Sequence, residues 1–202
     1  NMFSGCTKIS NLDLSNFNTG NVEYMTNMFS NCINLNTLDI SKFTASKVKD
    51  LSGMFYNCGK LHKLDLSIFV EKAENMNSMF YGCNELIELD ISNFNTVNVI
   101  NMYSMFYECK SLIELNVKSF NTENVTNMAN MFQGCSSLSS LNISGWSTSR
   151  VSDMIGMFQN CSSLTSLDLS SFNTLRASNM AGMFENCSSL TSLDLSSFNT
   201  SN

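Results

Sequence analysis

Eight cysteines are the residues with the greatest potential for chemistry in this chain, because thiols form disulfides, bind zinc and act as nucleophiles. They are spaced 26 residues apart except for one step of 25, at Cys6, Cys32, Cys58, Cys83, Cys109, Cys135, Cys161 and Cys187. An even number of cysteines in a secreted chain would normally indicate disulfides. Here every cysteine holds the same inward position of a repeat. Packed helices lie about 8–10 Å apart, whereas a disulfide needs Cα atoms within about 7 Å. The pattern therefore predicts buried free thiols. A zinc site is disfavoured, because no C-x-x-C pair exists and the single histidine, His62, lies in another segment.

A column of acidic residues could bind cations or a basic partner. One repeat position carries Asp in six copies and Asn in two: Asp13, Asp39, Asp65, Asp90, Asp168, Asp194, Asn116 and Asn142. The position lies between two inward leucines and should face outwards, with neighbouring carboxylates about 5 Å apart. At that distance two charges repel by about 0.8 kcal/mol in bulk water. Either each Asp bonds the Ser two residues on or a nearby backbone amide, or the column binds a cation row or a basic partner. Under the second reading, Asp39, Asp65 and Asp90 are candidate partner-binding residues.

Three tyrosines form a second column. Tyr56, Tyr81 and Tyr107 share one position in consecutive copies, where other copies carry polar residues such as Ser30 and Gln133. A position that accepts polar residues should be exposed, and exposed aromatic clusters suit protein or glycan contacts. The alternative is that the tyrosines shield the neighbouring repeats.

A catalytic centre is not indicated, because the sulfur-bearing and bulky residues all follow the repeat. The 14 methionines fall at two repeat positions, the 8 cysteines at one, and the 15 phenylalanines at two, with Trp146 replacing one of them. A single active site would need at least one copy to depart from this pattern. We therefore predict that the protein is not an enzyme and needs no cofactor.

The composition disfavours several other classes. With 43% hydrophobic and 14% charged residues over 202 positions, the chain is not a disordered tail. A net charge of -6 argues against nucleic-acid binding. No apolar run approaches the roughly 20 residues of a membrane helix. The chain begins with Asn1 and both of its ends fall inside a repeat, so we expect a piece of a longer protein.

The elements that position these columns come from one repeated unit. The unit reads L-x-x-L-D-L-S-x-F-N-T-x-N-V-x-N-M-x-x-M-F-x-x-C-x-x, and full copies start at positions 9, 35, 61, 86, 112, 138 and 164. The copy that starts at position 61 lacks one residue, between Phe69 and Ala73. We interpret residues 1–202 as a single array of about eight 26-residue repeats.

Each unit combines two periodicities. Alternation in L-x-x-L-D-L, as in residues 12–14, predicts a short strand. Thr19 and its equivalents stand where a helix N-cap would lie, and the apolar residues from Val22 to Cys32 follow at helical spacing. The Asn or Gly before most cysteines tolerates the left-handed backbone that ends a helix. Stacked copies should form an α/β repeat, a right-handed solenoid with a parallel β-sheet on one face and short helices on the other.

The unit also resembles a known family. The strings LTSLDLSSFNT and NMAGMFENC within residues 164–187 are similar to the repeat of BspA-like leucine-rich repeat surface proteins, found in mycoplasmas and other bacteria. The resemblance covers the whole chain and implies a leucine-rich-repeat solenoid in a non-enzymatic protein at the cell surface or secreted. It transfers no functional residue. Phe stands where ordinary leucine-rich repeats carry an inward Asn, so no asparagine ladder is expected at that position.

Two functions follow from these patterns. The first is a recognition or adhesion module that binds a protein or glycan on a host or neighbouring cell. The second is a structural spacer that displays another domain, with end-to-end self-association as a further contact. Copies two to four, residues 35–111, are the preferred binding region because they hold the three tyrosines and most of the lysines.

Overall fold

The chain folds as a stack of coils, each coil being one sequence repeat. The computed structural model describes residues 1–66 and 71–199. Equivalent backbone groups of successive coils are hydrogen-bonded: the Phe29 amide donates to the Met54 carbonyl at 2.9 Å, and the Asn31 amide donates to the Tyr56 carbonyl at 2.7 Å. Such bonds between residues about one repeat apart run along the described chain and define a repeat solenoid. The sequence places the one-residue deletion between Phe69 and Ala73. Residues 67–70, which overlap this segment, lie outside the described residues.

The strand segment, residues 9–14 and their equivalents, forms the predicted parallel pairing. Strand β1 (Lys63–Asp65) pairs in parallel with β2 (Glu88–Asp90), with Leu64 opposite Leu89. Leu64 is buried between exposed neighbours, as the alternation predicts. Elsewhere in the described residues the strand segments are joined by isolated bonds, such as Thr165 N to Ser139 O at 3.4 Å.

The predicted helices are wrong. Among the described residues there is no α-helix, and the turn segment, residues 25–35 and their equivalents, makes consecutive turns. The Met28 amide donates to Met25 O and the Cys32 amide to Phe29 O, three residues back instead of four. The amides of Phe29 and Asn31 donate to the next coil. An α-helix needs each of these donors for its own carbonyls, so the inter-coil ladder excludes it. None of the described segments is a helix long and apolar enough to cross a bilayer.

Two columns with a left-handed backbone break each turn segment. The residue before each cysteine has positive φ, as predicted from the Asn or Gly found there in most copies. Glu108, the exception in sequence, has the same left-handed backbone, with φ 59°. A second column was not predicted. Its members also have positive φ: Asn27, Gly53, Ser78, Ser104, Asn130, Gly156 and Gly182. Because each turn segment contains two left-handed residues four positions apart, the chain cannot continue a right-handed helix there.

Replacing Glu108 with Asn should stabilise the fold by about 0.5–1 kcal/mol, because Asn tolerates the left-handed region better than Glu. The Glu108–Lys110 ion pair, 2.8 Å long and partly exposed, offsets little of this gain. Urea unfolding measures the change. The reciprocal variant Asn160→Glu should lose stability, because Asn160 holds the same position with φ 61°. A loss of stability in Glu108→Asn would contradict the argument.

Stacked phenylalanines fill the core on the turn side. Successive rings lie 5.5–5.7 Å apart and nearly parallel, from Phe3 through Phe29, Phe55, Phe80, Phe106, Phe132 and Phe158 to Phe184. At the second aromatic position, Phe120 stacks on Trp146 at 6.2 Å. This position therefore holds inward rings in place of an asparagine ladder.

Thr19 and its equivalents were predicted to be helix N-caps, and this prediction is wrong because no helix follows. Instead each buried threonine joins two coils. Thr148 Oγ1 donates to Asn173 O at 2.9 Å and accepts from Asn173 N at 2.8 Å. Thr19 makes the same two bonds with Thr44, and Thr96 makes them with Asn121. The hydroxyl thus satisfies partly buried backbone groups of the following coil.

A half-buried column of Asn and Asp was not predicted either. Its members form parallel bridges between coils: Asp50, Asn75, Asn101, Asn127, Asp153 and Asn179. Each side chain also accepts a bond from the amide two residues on, as Asn127 Oδ1 does from Ala129 N at 2.9 Å. The column fixes the turn that begins each turn segment.

Candidate recognition surfaces

The tyrosine ladder, which we define as Tyr56, Tyr81 and Tyr107, lies on the outer side of the turn segments. The Tyr56 and Tyr81 ring centroids are 4.6 Å apart with planes 12° from parallel, and those of Tyr81 and Tyr107 are 4.4 Å apart at 4°. Each ring is half-buried, so the rings both cover one another and remain accessible. The structure brings together the three residues that the shared repeat position predicted.

The central tyrosine of the ladder, Tyr81, presents a neutral phenol over the physiological pH range. Burial raises the pKa of Tyr81 to about 12, and the neighbouring phenols Tyr107 and Tyr56 add to the rise. Tyr103, in the coil of Tyr107, is 39% exposed. The ring faces inside the ladder are covered by neighbouring tyrosines. Hydroxyl groups and ring edges are therefore what the ladder offers to a partner.

The aspartate column is exposed on the strand side, as predicted. Asp39 Oδ1 accepts from the Ser41 amide at 2.9 Å, and Asp90 Oδ1 accepts from the Ser92 amide at 3.0 Å and its hydroxyl at 2.7 Å. These bonds hold the pKa of both carboxyl groups below the usual value. The partner that the pattern assigns to Asp65, residue 67, lies outside the described residues.

The two Asn members of the column explain what the position requires. Asn116 Oδ1 accepts from the Lys118 amide and Asn142 Oδ1 from the Ser144 amide, both at 3.2 Å. A carbonyl oxygen is thus enough to fix the turn, and charge is not needed for it. In the described part of the chain, no group of three or more His, Cys, Asp or Glu side chains is arranged to hold a metal ion.

All eight cysteines are free thiols, as predicted, although the physical reason differs from the one that predicted it. Each thiol after Cys6 donates to the Phe carbonyl of the preceding coil, as Cys58 Sγ does to Phe29 O at 3.1 Å. The packed-helix distance does not apply, because the coils are joined by backbone bonds instead of helix packing. Desolvation raises the pKa of Cys83 and of Cys135 to about 12. The buried thiols are therefore protonated and poor nucleophiles at neutral pH.

Alkylation of the native protein should distinguish two classes of thiol. Cys6 and Cys187 are partly exposed and should react first at pH 8, whereas the six buried thiols should react only as fast as the fold opens. In denaturant, without prior reduction, all 8 should react. Mass spectrometry of the labelled peptides measures this, and any cysteine that reacts only after reduction would contradict the free-thiol assignment.

Two shallow cavities lie on the strand side and were not predicted. One, of about 570 Å³, is lined by Asp13, Asp39 and Lys42, and the other, of about 630 Å³, spans the coils of β1 and β2 and the coil after them. Lys63 and Asp65 line both, so the two cavities adjoin. In the sequence, the signal for these cavities is that the outward residues change from copy to copy. An alignment of the repeats alone treats such changes as drift.

These columns, ladders and outward surfaces define a repeat solenoid whose variable side chains lie outside a constant core. The family model described as "Mycoplasma protein of unknown function, DUF285" matches residues 1–86, 62–142 and 111–202, which together span the chain. The chain belongs to this family. Its membership confirms the resemblance that the repeat motif indicated. No curated protein matches the chain.

Three solved structures are similar over most of the chain. The leucine-rich repeat protein of T. pallidum is 16% identical, with 93% of this chain and 68% of that chain covered and a TM-score of 0.42. A leucine rich cell surface protein from Faecalibacterium prausnitzii is 15% identical, with 96% and 76% covered and a TM-score of 0.35. A leucine-rich repeat protein from Bacteroides ovatus is 17% identical, with 96% and 68% covered and a TM-score of 0.26.

Proposed function

We propose that this chain is a non-enzymatic recognition module, at the cell surface or secreted, that binds a protein of a host or neighbouring cell. The single observation that carries the proposal is the tyrosine ladder. Three aromatic rings stand in a row on an accessible surface where other coils carry Gln133, Gln159 and Glu185. Tyrosine offers a large contact area at low rotamer cost and is enriched in the contact residues that dominate interfaces.

The stacking of the ladder favours a protein partner over a glycan. A sugar that packs on an aromatic residue needs an uncovered ring face, and the facing surfaces of these rings are in mutual contact at 4.4–4.6 Å. The hydroxyl groups that remain accessible suit backbone carbonyls and carboxylates of a protein. On the strand side, Asp39, Asp65 and Asp90 add negative charge that would favour a basic surface of the partner.

Placement at the surface rests on the family's repeat motif, which is similar to that of BspA-like surface proteins. The spacer function is the second candidate. It is favoured by the near-constant Ser-rich coils after residue 135, whose outward positions offer little for recognition. The two candidate functions assign different roles to the tyrosines, because a spacer would keep its function if the tyrosines were replaced.

Replacing Tyr56, Tyr81 and Tyr107 together with Ser should reduce binding to host cells or extracellular matrix at least about tenfold. The fold should persist, because Ser30 already occupies this position in another coil. The matched control replaces Gln133 and Gln159, which hold the same position in later coils, with Ser and should bind like the parent. Protease treatment of the cells should abolish binding and glycosidase treatment should not. A parent chain that binds nothing would support the spacer, and an unchanged triple variant would remove the ladder from the site.

A further inference from the structure

We propose that the strand side of the middle coils binds a basic, extended peptide segment that carries an aliphatic side chain, an inference that rests on the proposed protein recognition. The central observation is the isoleucine pair, Ile87 and Ile113. These residues hold the same position in neighbouring coils and are 45% and 51% exposed. The same position is polar in the other coils: Ser10, Asn36, His62, Ser139, Thr165 and Thr191.

Each member of the pair is hydrogen-bonded to the coil on its outer side. The Ile87 amide donates to the His62 carbonyl at 2.9 Å, and the Ile113 carbonyl accepts from the Ser139 amide at 3.3 Å. Both side chains line the cavity of about 630 Å³. Two branched apolar side chains held side by side on a rigid surface form a docking spot for another apolar group, because covering them removes apolar area from water.

The charge around the pair determines the chemistry of the occupant. Asp65, Glu88, Asp90 and Glu114 line the same cavity, and the one cation in its lining is Lys63, which pairs with Glu88 at 2.6 Å. The cavity is therefore strongly negative around an apolar centre. Lysine or arginine side chains of a ligand would bond these carboxylates while an aliphatic side chain covers the isoleucines. An acidic ligand would be repelled.

The shape favours an extended segment. The cavity crosses three successive coils, and the carboxylates repeat from coil to coil at the spacing of neighbouring strands, about 4.8 Å. An extended peptide places side chains on one face at about 6.6–6.8 Å intervals. A short segment laid across the coils therefore reaches several carboxylates at once. The coil after them offers Ser139, Ser140 and Asn142, and the last coils keep an Asp but carry Thr165 and Thr191 in place of isoleucine, so the site is confined to the middle coils.

The probe is a capped synthetic peptide of about nine residues with lysine at alternate positions and leucine at the centre; at about 3.3 Å per residue it is about 30 Å long and extends beyond the three strands on both sides. Two control peptides carry glutamate for lysine or alanine for leucine. Fluorescence anisotropy should show the lysine peptide binding at least tenfold more tightly than the glutamate peptide and severalfold more tightly than the alanine peptide, by roughly the worth of one buried aliphatic group. Binding should weaken in high salt. Equal binding of the lysine and glutamate peptides would overturn the proposal.

Variants of the protein test the two halves of the site separately. Ile87→Ser with Ile113→Ser copies the polar residues of the later coils and should lower affinity about tenfold. The matched control is Leu175→Ser, which changes a residue that is 56% exposed in a later coil. Asp90→Asn with Glu114→Gln should weaken binding and flatten its salt dependence; Asn at the aspartate position retains the turn bond, as Asn116 shows. Unchanged affinity in the isoleucine variant would overturn the site.

The outcomes also separate this inference from the proposed function. If the peptide fails to bind while the tyrosine variant still loses host-cell binding, the basic-peptide site is wrong and the recognition function stands. If the peptide binds at the isoleucine pair and the tyrosine variant behaves like the parent, this site is supported and the ladder is removed from the function.

Discussion

Replacing Phe106 with Ala should lower the free energy of unfolding by about 3–5 kcal/mol, the usual cost of removing a buried phenylalanine ring. Phe106 is fully buried and stacks on Phe80 and Phe132, each at 5.5 Å. Removing the ring leaves a cavity in the core between the preceding coil and the following coil. Because each coil of a solenoid is stabilised by its neighbours, the damage should spread beyond one coil.

Urea unfolding of the parent and the variant measures this loss. Phe184→Ala is the matched comparison, because Phe184 is only partly buried and has one stacked partner from this column among the described residues, Phe158 at 5.7 Å. Its loss should be clearly smaller. A cost below about 1 kcal/mol for Phe106→Ala would place it among surface changes and contradict the core.

Replacing Thr148 with Val should cost about 2–3 kcal/mol, although the two side chains have nearly the same shape. The hydroxyl of this fully buried residue bonds both backbone groups of Asn173, and valine would leave these partly buried groups without that partner. Leaving one buried polar group unsatisfied costs about 1–3 kcal/mol.

The matched control for this change is Thr126→Val. Thr126 is exposed and its hydroxyl donates to Ile100 O at 3.1 Å in contact with solvent, so water can replace that bond. We expect a change within about 0.5 kcal/mol, as for most surface substitutions. Equal losses in the two variants, measured by thermal unfolding, would mean that the buried threonine bonds contribute nothing specific.

The columns of this fold could be predicted from the sequence, because a repeat of fixed length places equivalent residues in contact whatever the local backbone. The shared positions of Phe106, Cys109 and Tyr107 thus predicted their stacking neighbours correctly. The helices could not be separated from turns in this way. Apolar residues three and four apart suit both an α-helix and consecutive turns, and the difference lies in where the amides donate.

The Gly and Asn residues at the position of Asn27 are the signal in the sequence that argues against a helix. They occur in five of the seven copies whose backbone has positive φ there, inside the segment whose apolar spacing predicts a helix. The isoleucine pair was missed for another reason. Single exposed apolar residues are common on protein surfaces, and only their shared place in the lining of one cavity distinguishes Ile87 and Ile113.

The backbone hydrogen bonds between the turn segments of successive coils also give the array an electrical direction. The amides of Met25, Asn27, Phe29 and Asn31 all donate to carbonyls of the following coil. Their peptide dipoles, about 3.5 D each, therefore point the same way and add along the stack. Within the turn segments, one side of each coil presents these donors and the other side presents the matching acceptors. Coils of this kind can join head to tail but not head to head through this ladder. Any assembly that continued the ladder would be a polar filament instead of a closed two-fold dimer.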